Sequence, residues 1–522
     1  MPIRVDRFSG IQPKVHPSLL QDAMAQTAHN VKLDNGKIVP LRMPSIVDGV
    51  AILMENGLTD IADAYTMHVW KKYDGDPEIV LFPGMTWMAP GNIADDDRTR
   101  VIVSGDTGEG RGTPLVYMRD GNSIVRHPIC KTAPNKPSCR RNGGVIEKFD
   151  AITMKGWLTC AELNAKASAA VKPAKGDTYY ASDAGTVGSG SSEINPASGD
   201  QVVWLGSAWG FYDSAAFANL RYTHFFATWV DRFGYESPVS EPSDEITYND
   251  GDTITFDGIG GVPDDADLVR IYKVVTGTET GRIQFVAEFK ADAARESFAV
   301  TVKDEDAGEV LTEIVSPPED LRCIQEVPGD FYCGFSPSRP KTVMFSDVGL
   351  LYSWPDGYRY DIADNVVCLA VTSNTVFVMT DGWPYVISGT APDGMSVTKL
   401  AGPSACVSPR SVCVYRNAVY FASNEGLMTI YNSANAGTVC ENLTLNIFTK
   451  DQWQKFNPSS CICAQHDGAL HLFFTDLAGR HHGLRIGIAD GTSAVTTHDE
   501  VAKCACVENK GDRMFFVREV AN

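Results

Sequence analysis

Asn374-Thr-Val-Phe-Val-Met-Thr-Asp-Gly-Trp-Pro-Tyr-Val-Ile387 and Asn417-Ala-Val-Tyr-Phe-Ala-Ser-Asn-Glu-Gly-Leu-Met-Thr-Ile430 have one pattern in common: an apolar strand, a tight turn carrying Gly, and a second strand. The pattern returns at Gly468-Ala-Leu-His-Leu-Phe-Phe-Thr-Asp476, followed by Gly483-Leu-Arg-Ile-Gly-Ile488, and half of it closes the sequence at Asp512-Arg-Met-Phe-Phe-Val-Arg518. A spacing of roughly forty to fifty residues is that of four-stranded propeller blades, each of which buries its faces only against its neighbours. Working outward, Thr66-Met-His-Val-Trp70, Glu78-Ile-Val-Leu-Phe82 and Arg98-Thr-Arg-Val-Ile-Val-Ser104 read as further blade strands.

Between these two blocks the composition changes. Residues 151–216 hold a short helix-prone run from Ala161 and strand pairs edged by Gly-Asp turns, with Trp204, Trp209 and Tyr212 as either a small core or an exposed platform; the core reading is favoured. From 217 to 310, Tyr222–Pro238 reads as a strand, a polar turn with Gly and a proline-bounded exit, and further strands are expected at Thr253–Phe256, Leu268–Val274, Arg282–Phe289 and Ser297–Val302, the rhythm of a sandwich similar to a fibronectin type III module. The fold class is therefore all-β: a β-propeller with an inserted fibronectin type III-like sandwich and a small inserted β module. The divisions are 1–45 (arm and hairpin), 46–150 (first blades), 151–216 (small module), 217–310 (sandwich) and 311–522 (remaining blades).

At 522 residues, 43% of them hydrophobic, the chain is long enough for more than one core. A formal charge of −20 argues against a protein that wraps duplex DNA, since phosphate binding takes clustered Lys and Arg, and leaves open a surface that faces DNA without gripping it. No run approaches the ~18 apolar residues of a membrane helix, so no membrane insertion is expected. Thirteen cysteines include two Cys-x-Cys pairs, Cys461/Cys463 and Cys504/Cys506, whose thiols fall on one face of a strand. Zinc sites favour wider spacings on turns; buried thiols are expected, with no metal and no cofactor. Gly105-Asp-Thr-Gly-Glu-Gly-Arg-Gly112 lacks the Lys-Ser/Thr of a phosphate loop and reads as a turn. No Gly-x-Ser-x-Gly, no His-Glu-x-x-His and no spaced sialidase box occurs, so no catalytic residue is nominated.

The N-terminal stretch is polar and broken by Pro13 and Pro17. A short helix is expected from Ser18, then an Asn35-Gly36 hairpin. Arg7-Phe-Ser-Gly10, Asn30-Val-Lys-Leu33 with Gly36 and Pro40-Leu-Arg42, Phe345-Ser-Asp347 with Ser353-Trp-Pro-Asp-Gly-Tyr358, and Thr380-Asp-Gly-Trp-Pro-Tyr-Val-Ile-Ser-Gly389 together resemble a family of virion proteins of short-tailed bacteriophages, the tail nozzle or tail tubular protein B family. The resemblance implies a structural virion protein, not an enzyme, assembled in the host cytoplasm into the phage tail as a ring, a homo-hexamer, below the portal and adaptor. Its implied partners are further copies of itself, the tail adaptor, and tail fibres or spikes. DNA passes through the lumen without specific binding. Arg4, Arg7, Phe8, Ile11, Leu19 and Leu20 are the expected contacts of an arm that leaves its own propeller for a neighbour or the adaptor. The alternative is a propeller glycosidase or carbohydrate-binding protein acting on the host surface. Trp354 and Trp383, each followed by Pro, are expected to pack between blades.

Overall fold

The computed structural model describes residues 8–21, 23–34, 37–42, 44–47, 49–71, 77–91, 99–108, 112–120, 123–142, 153–212, 220–275, 282–402, 404–433, 437–488, 494–508 and 513–518. They form two compact units, one of residues 1–131 with 314–522, the other of 132–313. Among the described residues no helix is long and apolar enough to cross a membrane.

The first unit is a β-propeller with seven blades among the described residues. Blade 1 is Thr66–Trp70, Glu78–Phe82 and Ala51–Met54, the last lying parallel to the second. Five four-stranded antiparallel meanders follow. Blade 2 spans Thr86–Pro90 to Ser123–Pro128, blade 3 Arg322–Val327 to Arg359–Asp361, and blade 4 Val366–Thr372 to Ser396–Lys399. Blade 5 spans Cys413–Tyr415 to Gly437–Asn442 and blade 6 Ile462–His466 to Val495–His498. Blade 7 is the hairpin Cys504–Glu508 with Arg513–Val517. The quoted repeats are the second and third strands of blades 4, 5 and 6, with Gly at their turns.

Second strands are buried on both faces because each blade is sandwiched between its neighbours. Glu78–Phe82 and Phe331–Ser336 are buried at every position. The cores accordingly lie between blades rather than within them. Trp70 and Phe82 meet Val103 and Tyr117 between blades 1 and 2. One large cluster runs from Trp87 of blade 2 through Phe331, Phe345, Phe377 and Val386 to Phe421 of blade 5. Leu470 and Leu484 join Tyr420 and Leu427 between blades 5 and 6, and Phe473 meets Phe516 between 6 and 7. The circle closes where Met67, Ile79 and Leu81 of blade 1 pack on Cys504, Phe515 and Val517 of blade 7.

The N-terminal segment corrects the expectation of an arm reaching away. Ile11, Lys14 and Asn30 lie on the propeller's own rim: Ile11 N–H donates to the Val495 carbonyl at 2.9 Å, Lys14 N–H to that of Ile447, Lys14 Nζ to that of Leu445, and Asn30 N–H to that of Thr497. Ile11 is 4% exposed, in the core of blades 5 and 6. The prolines keep this segment out of a sheet, but its free backbone amides still find carbonyls on the blade edge. The short helix is a single 3-10 turn, Pro17–Leu19, capped by His16 and not Ser18. Val31–Asp34 pairs with Lys37–Pro40 as expected, and their turn lies outside the described residues.

The second unit starts at 132, not near 150, because Cys139–Arg141 pairs with Thr253–Phe256 of the sandwich. One sheet is Phe225–Asp231, Ala266–Val275 and Arg282–Lys290; facing it are Cys139–Arg141, Thr253–Phe256 and Phe298–Thr301, beside Arg221–Thr223 with Ile246–Tyr248. Phe225, Trp229, Phe256 and Ile271 fill the space between. Ser237, Ser240 and Ser243 cover the edge strand: each backbone N–H donates to the carbonyl of Trp229, Ala227 or Phe225, and each hydroxyl accepts that residue's own N–H. The Ser-Pro-Val-Ser-Glu-Pro-Ser run thus blunts an edge that would otherwise recruit another strand. The small module is Thr153–Leu158, Asp177–Ala181, Gln201–Trp204 and Trp209–Phe211, with the helix Cys160–Ser168 on one face behind a Thr159/Glu162 capping box.

Candidate functional site

The first strand of each blade faces the propeller axis, so the axis is built from seven short segments far apart in sequence. They enclose a cavity of about 300 Å³ lined by Thr66, Met67 and His68 of blade 1, Met85, Thr86 and Trp87 at blade 2, Gln325 of blade 3, Cys368, Leu369 and Ala370 of blade 4, Arg410, Val412 and Val414 at blade 5, Ile462 and Cys463 of blade 6, and Cys504, Ala505 and Cys506 of blade 7. No carboxylate is among these lining residues.

Its polar groups are tied to one another. Thr66 Oγ1 lies 2.7 Å from Thr86 Oγ1, and His68 Nε2 lies 3.0 Å from the same hydroxyl. Burial lowers the His68 pKa to about 4, against a smaller upward pull from the Thr86 carbonyl, so the ring is neutral at pH 7. The Arg410 guanidinium donates to the Lys503 carbonyl and stacks over Tyr65, 4.1 Å from the ring centre. That stacked cation ties blade 5 to the segment leading into blade 1.

Sulfur dominates the rest. Desolvation pushes the Cys504 thiol up to about 11, and raises those of Cys461 and Cys506 as well. Cys463 is raised first by its hydrogen bond to Cys413 and then by burial. These are protonated, weakly nucleophilic groups at neutral pH. All thirteen cysteines are free thiols, and among the described residues no group of three or more His, Cys, Asp or Glu is arranged to hold a metal ion. Cys461, Cys463 and Cys504 are buried and Cys506 is half-buried.

Of the six residues expected at an intersubunit contact, four lie among the described residues. Arg4 and Arg7 lie outside the described residues. Phe8 is half-buried, Ile11 is spent in the chain's own core, Leu20 is half-buried, and Leu19 is 74% exposed. Trp354 is 1% exposed, its indole N–H on the Leu351 carbonyl at 2.6 Å and its backbone N–H on that of Val315, so it bolts blade 3 to the segment that enters it. Ser346 supports the same corner, accepting the Tyr332 N–H. Trp383 packs against the large core cluster beneath the Lys399 ammonium, 4.3 Å from its ring. Gly105 ends a strand at φ +108°, and Thr107 Oγ1 donates to the Thr113 carbonyl; residues 109–111 of that turn lie outside the described residues.

Trp204 and Trp209 form the core of the small module, edge to face at 5.1 Å. Sequence reasoning missed the aromatic that is exposed. Trp157, on the edge strand, is 60% exposed and stacks on Tyr180 at 4.7 Å with an interplanar angle of 23°. Tyr180 Oη accepts from Gln201 Nε2. The Thr153-Met-Lys-Gly-Trp-Leu158 run carries the signal, an aromatic among residues that are otherwise polar or exposed.

No protein-family model and no curated protein sequence matches this chain. Solved structures similar in part include Hsv2 from Kluyveromyces lactis (TM-score 0.27, 8% identity, 48% of this chain and 67% of that chain). Others are the N-terminal domain of Nup159 (0.25, 9%, 45% and 58%) and a putative 6-phosphogluconolactonase from Bacteroides uniformis (0.25, 8%, 53% and 95%).

Proposed function

We propose that the chain is a structural virion protein, a tail nozzle subunit that forms a six-membered ring through which DNA leaves the capsid. The observation that carries the reading is that the motifs resembling that family are the joints of this fold. Gly10 lies so close to blade 6 that a β-carbon there would meet Val495 N at 2.9 Å; Ser346, Ser353 and Trp354 fix the corner of blade 3, and Trp383 sits on the largest core. Residues of this kind set architecture and carry no chemistry. A ring with closed rotational symmetry repeats one head-to-tail interface, and Leu19 with Leu20 belong to that interface in this reading. An acidic chain suits a lumen along which DNA slides without adhering. Gold-labelled antibody against the chain, imaged on phage particles, is expected at the tail axis below the portal, and six-fold rings are expected of the purified protein. Label confined to fibre tips or the capsid shell overturns the proposal.

A second reading, a carbohydrate-binding protein, is favoured by the Trp157–Tyr180 stack alone, since a flat exposed indole backed by a second ring suits the apolar face of a sugar. Host-surface polysaccharide that shifts Trp fluorescence in the wild type but not in Trp157→Ala supports it; no shift removes it.

A further inference from the structure

We propose that Cys323 and Cys368 are a peroxide-reactive dithiol whose oxidation joins blades 3 and 4 by a disulfide. The two sulfurs face each other across the seam between the first strands of these blades, 3.6 Å apart. The backbone is shaped to put them there. Both strands are irregular at the cysteine: pairing slips between Arg322 and Gln325, and again between Val366 and Cys368. Cys323 sits in the left-handed region at φ +54°, unusual for a residue with a β-carbon. Bulges of this kind re-aim a side chain, and here the re-aimed sulfur also accepts the Leu369 N–H at 3.2 Å.

Access is asymmetric. Cys368 lines the axial cavity, whereas Cys323 lies behind Gln325, whose amide is 4.0 Å from its sulfur. Hydrogen peroxide entering the cavity therefore meets Cys368 first. The Cys368 sulfur attacks one peroxide oxygen, the O–O bond breaks, and the departing hydroxide takes the thiol proton as water, leaving a sulfenic acid. The Cys323 sulfur then attacks the Cys368 sulfur, the S–O bond breaks, and hydroxide leaves with the Cys323 proton as a second water. Two thiols lose two electrons and one peroxide is reduced to two waters. Burial raises the Cys323 thiol well above its usual value, so it is a slow nucleophile, and the second step relies on the oxidised Cys368 sulfur being held beside it.

The test treats the full chain with graded hydrogen peroxide, alkylates remaining thiols under denaturing conditions, and maps peptides without reduction. The expected product links the peptides of Cys323 and Cys368, with a higher melting temperature than the reduced chain. In Cys323→Ala, dimedone is expected to trap a sulfenic acid at Cys368; in Cys368→Ala, none is expected at Cys323. Both cysteines still alkylated at peroxide levels that oxidise other thiols, a map linking only other cysteines such as Cys413 and Cys463, or a linked product that melts no higher would each overturn the proposal. The wild-type map decides the matter even if a variant fails to fold.

Discussion

Trp354 illustrates what a single side chain contributes in a fold whose cores lie between sheets. Its ring is almost wholly buried and its two N–H groups are both satisfied. Truncation removes a fully buried ring, so Trp354→Ala is expected to lower stability by about 3 to 5 kcal/mol; an unchanged urea midpoint would show that the corner is dispensable. Two histidines act in the opposite sense. His471 and His498 are buried on one face of blade 6, with ring centres 5.8 Å apart, and desolvation lowers their pKa values to about 3 and about 4. His466 and Arg485 add repulsion to His471, and Asp467 opposes it; His29 and Arg485 oppose a charge on His498, and Asp499 favours it. An unfolded histidine protonates near pH ~6.5, so between that value and the folded one the unfolded chain binds the extra proton. Stability is therefore expected to fall as pH drops through this window, by up to ~1.4 kcal/mol per pH unit for each ring. Urea midpoints taken at about pH 7 and about pH 5 should converge in a His471→Gln, His498→Gln double variant; an undiminished pH slope would assign the acid sensitivity to carboxylates instead.

Among the elements, those whose periodicity and turns agree were legible. The paired strands from Thr375 to Ser388 and from Ala418 to Ser433 follow directly from apolar runs around a Gly turn, and Thr253–Phe256 falls on the expected residues. The rim segment was not legible, for a physical reason: it is held by backbone amides on carbonyls more than four hundred residues away, and no side-chain pattern encodes such a partner. The serine edge was visible only as a proline-rich stretch. Its energetic content lies in Ser240, whose hydroxyl accepts the buried Ala227 N–H at 3.0 Å. Ser240→Ala leaves that donor without its side-chain acceptor and is expected to cost about 1 to 3 kcal/mol. Faster amide exchange at Ala227 is the matching local signature, and exchange at the wild-type rate would remove the serine from this role.

For the whole molecule, the axial cavity could not be read beforehand because its lining comes from the first strand of every blade and exists only once the circle closes. The Cys-x-Cys pairs were visible as strand residues, but not their common destination at the hub. The insertion has a simpler geometry. The chain departs after Lys131 and re-enters at Ile314 with the two ends touching: Ser316 Oγ donates to the Lys131 carbonyl at 2.5 Å, and the Cys130 thiol to that of Pro318 at 3.6 Å. Joining Lys131 to Ile314 through a short Gly-Ser linker is therefore expected to leave a propeller that unfolds in one cooperative transition. A broad, gradual melt by circular dichroism would mean the blades need the excised residues. The rim segment sets a clock on synthesis. Ile11 leaves the ribosome 484 residues ahead of Val495, the partner it must meet. At about 5 to 20 residues per second, that wait lasts roughly half a minute to a minute and a half. For that interval Ile11 and the segment's unpaired amides are open to solvent and to chaperones. A circular permutant that brings the segment and blade 6 together in sequence should shorten the wait and reach the closed circle sooner.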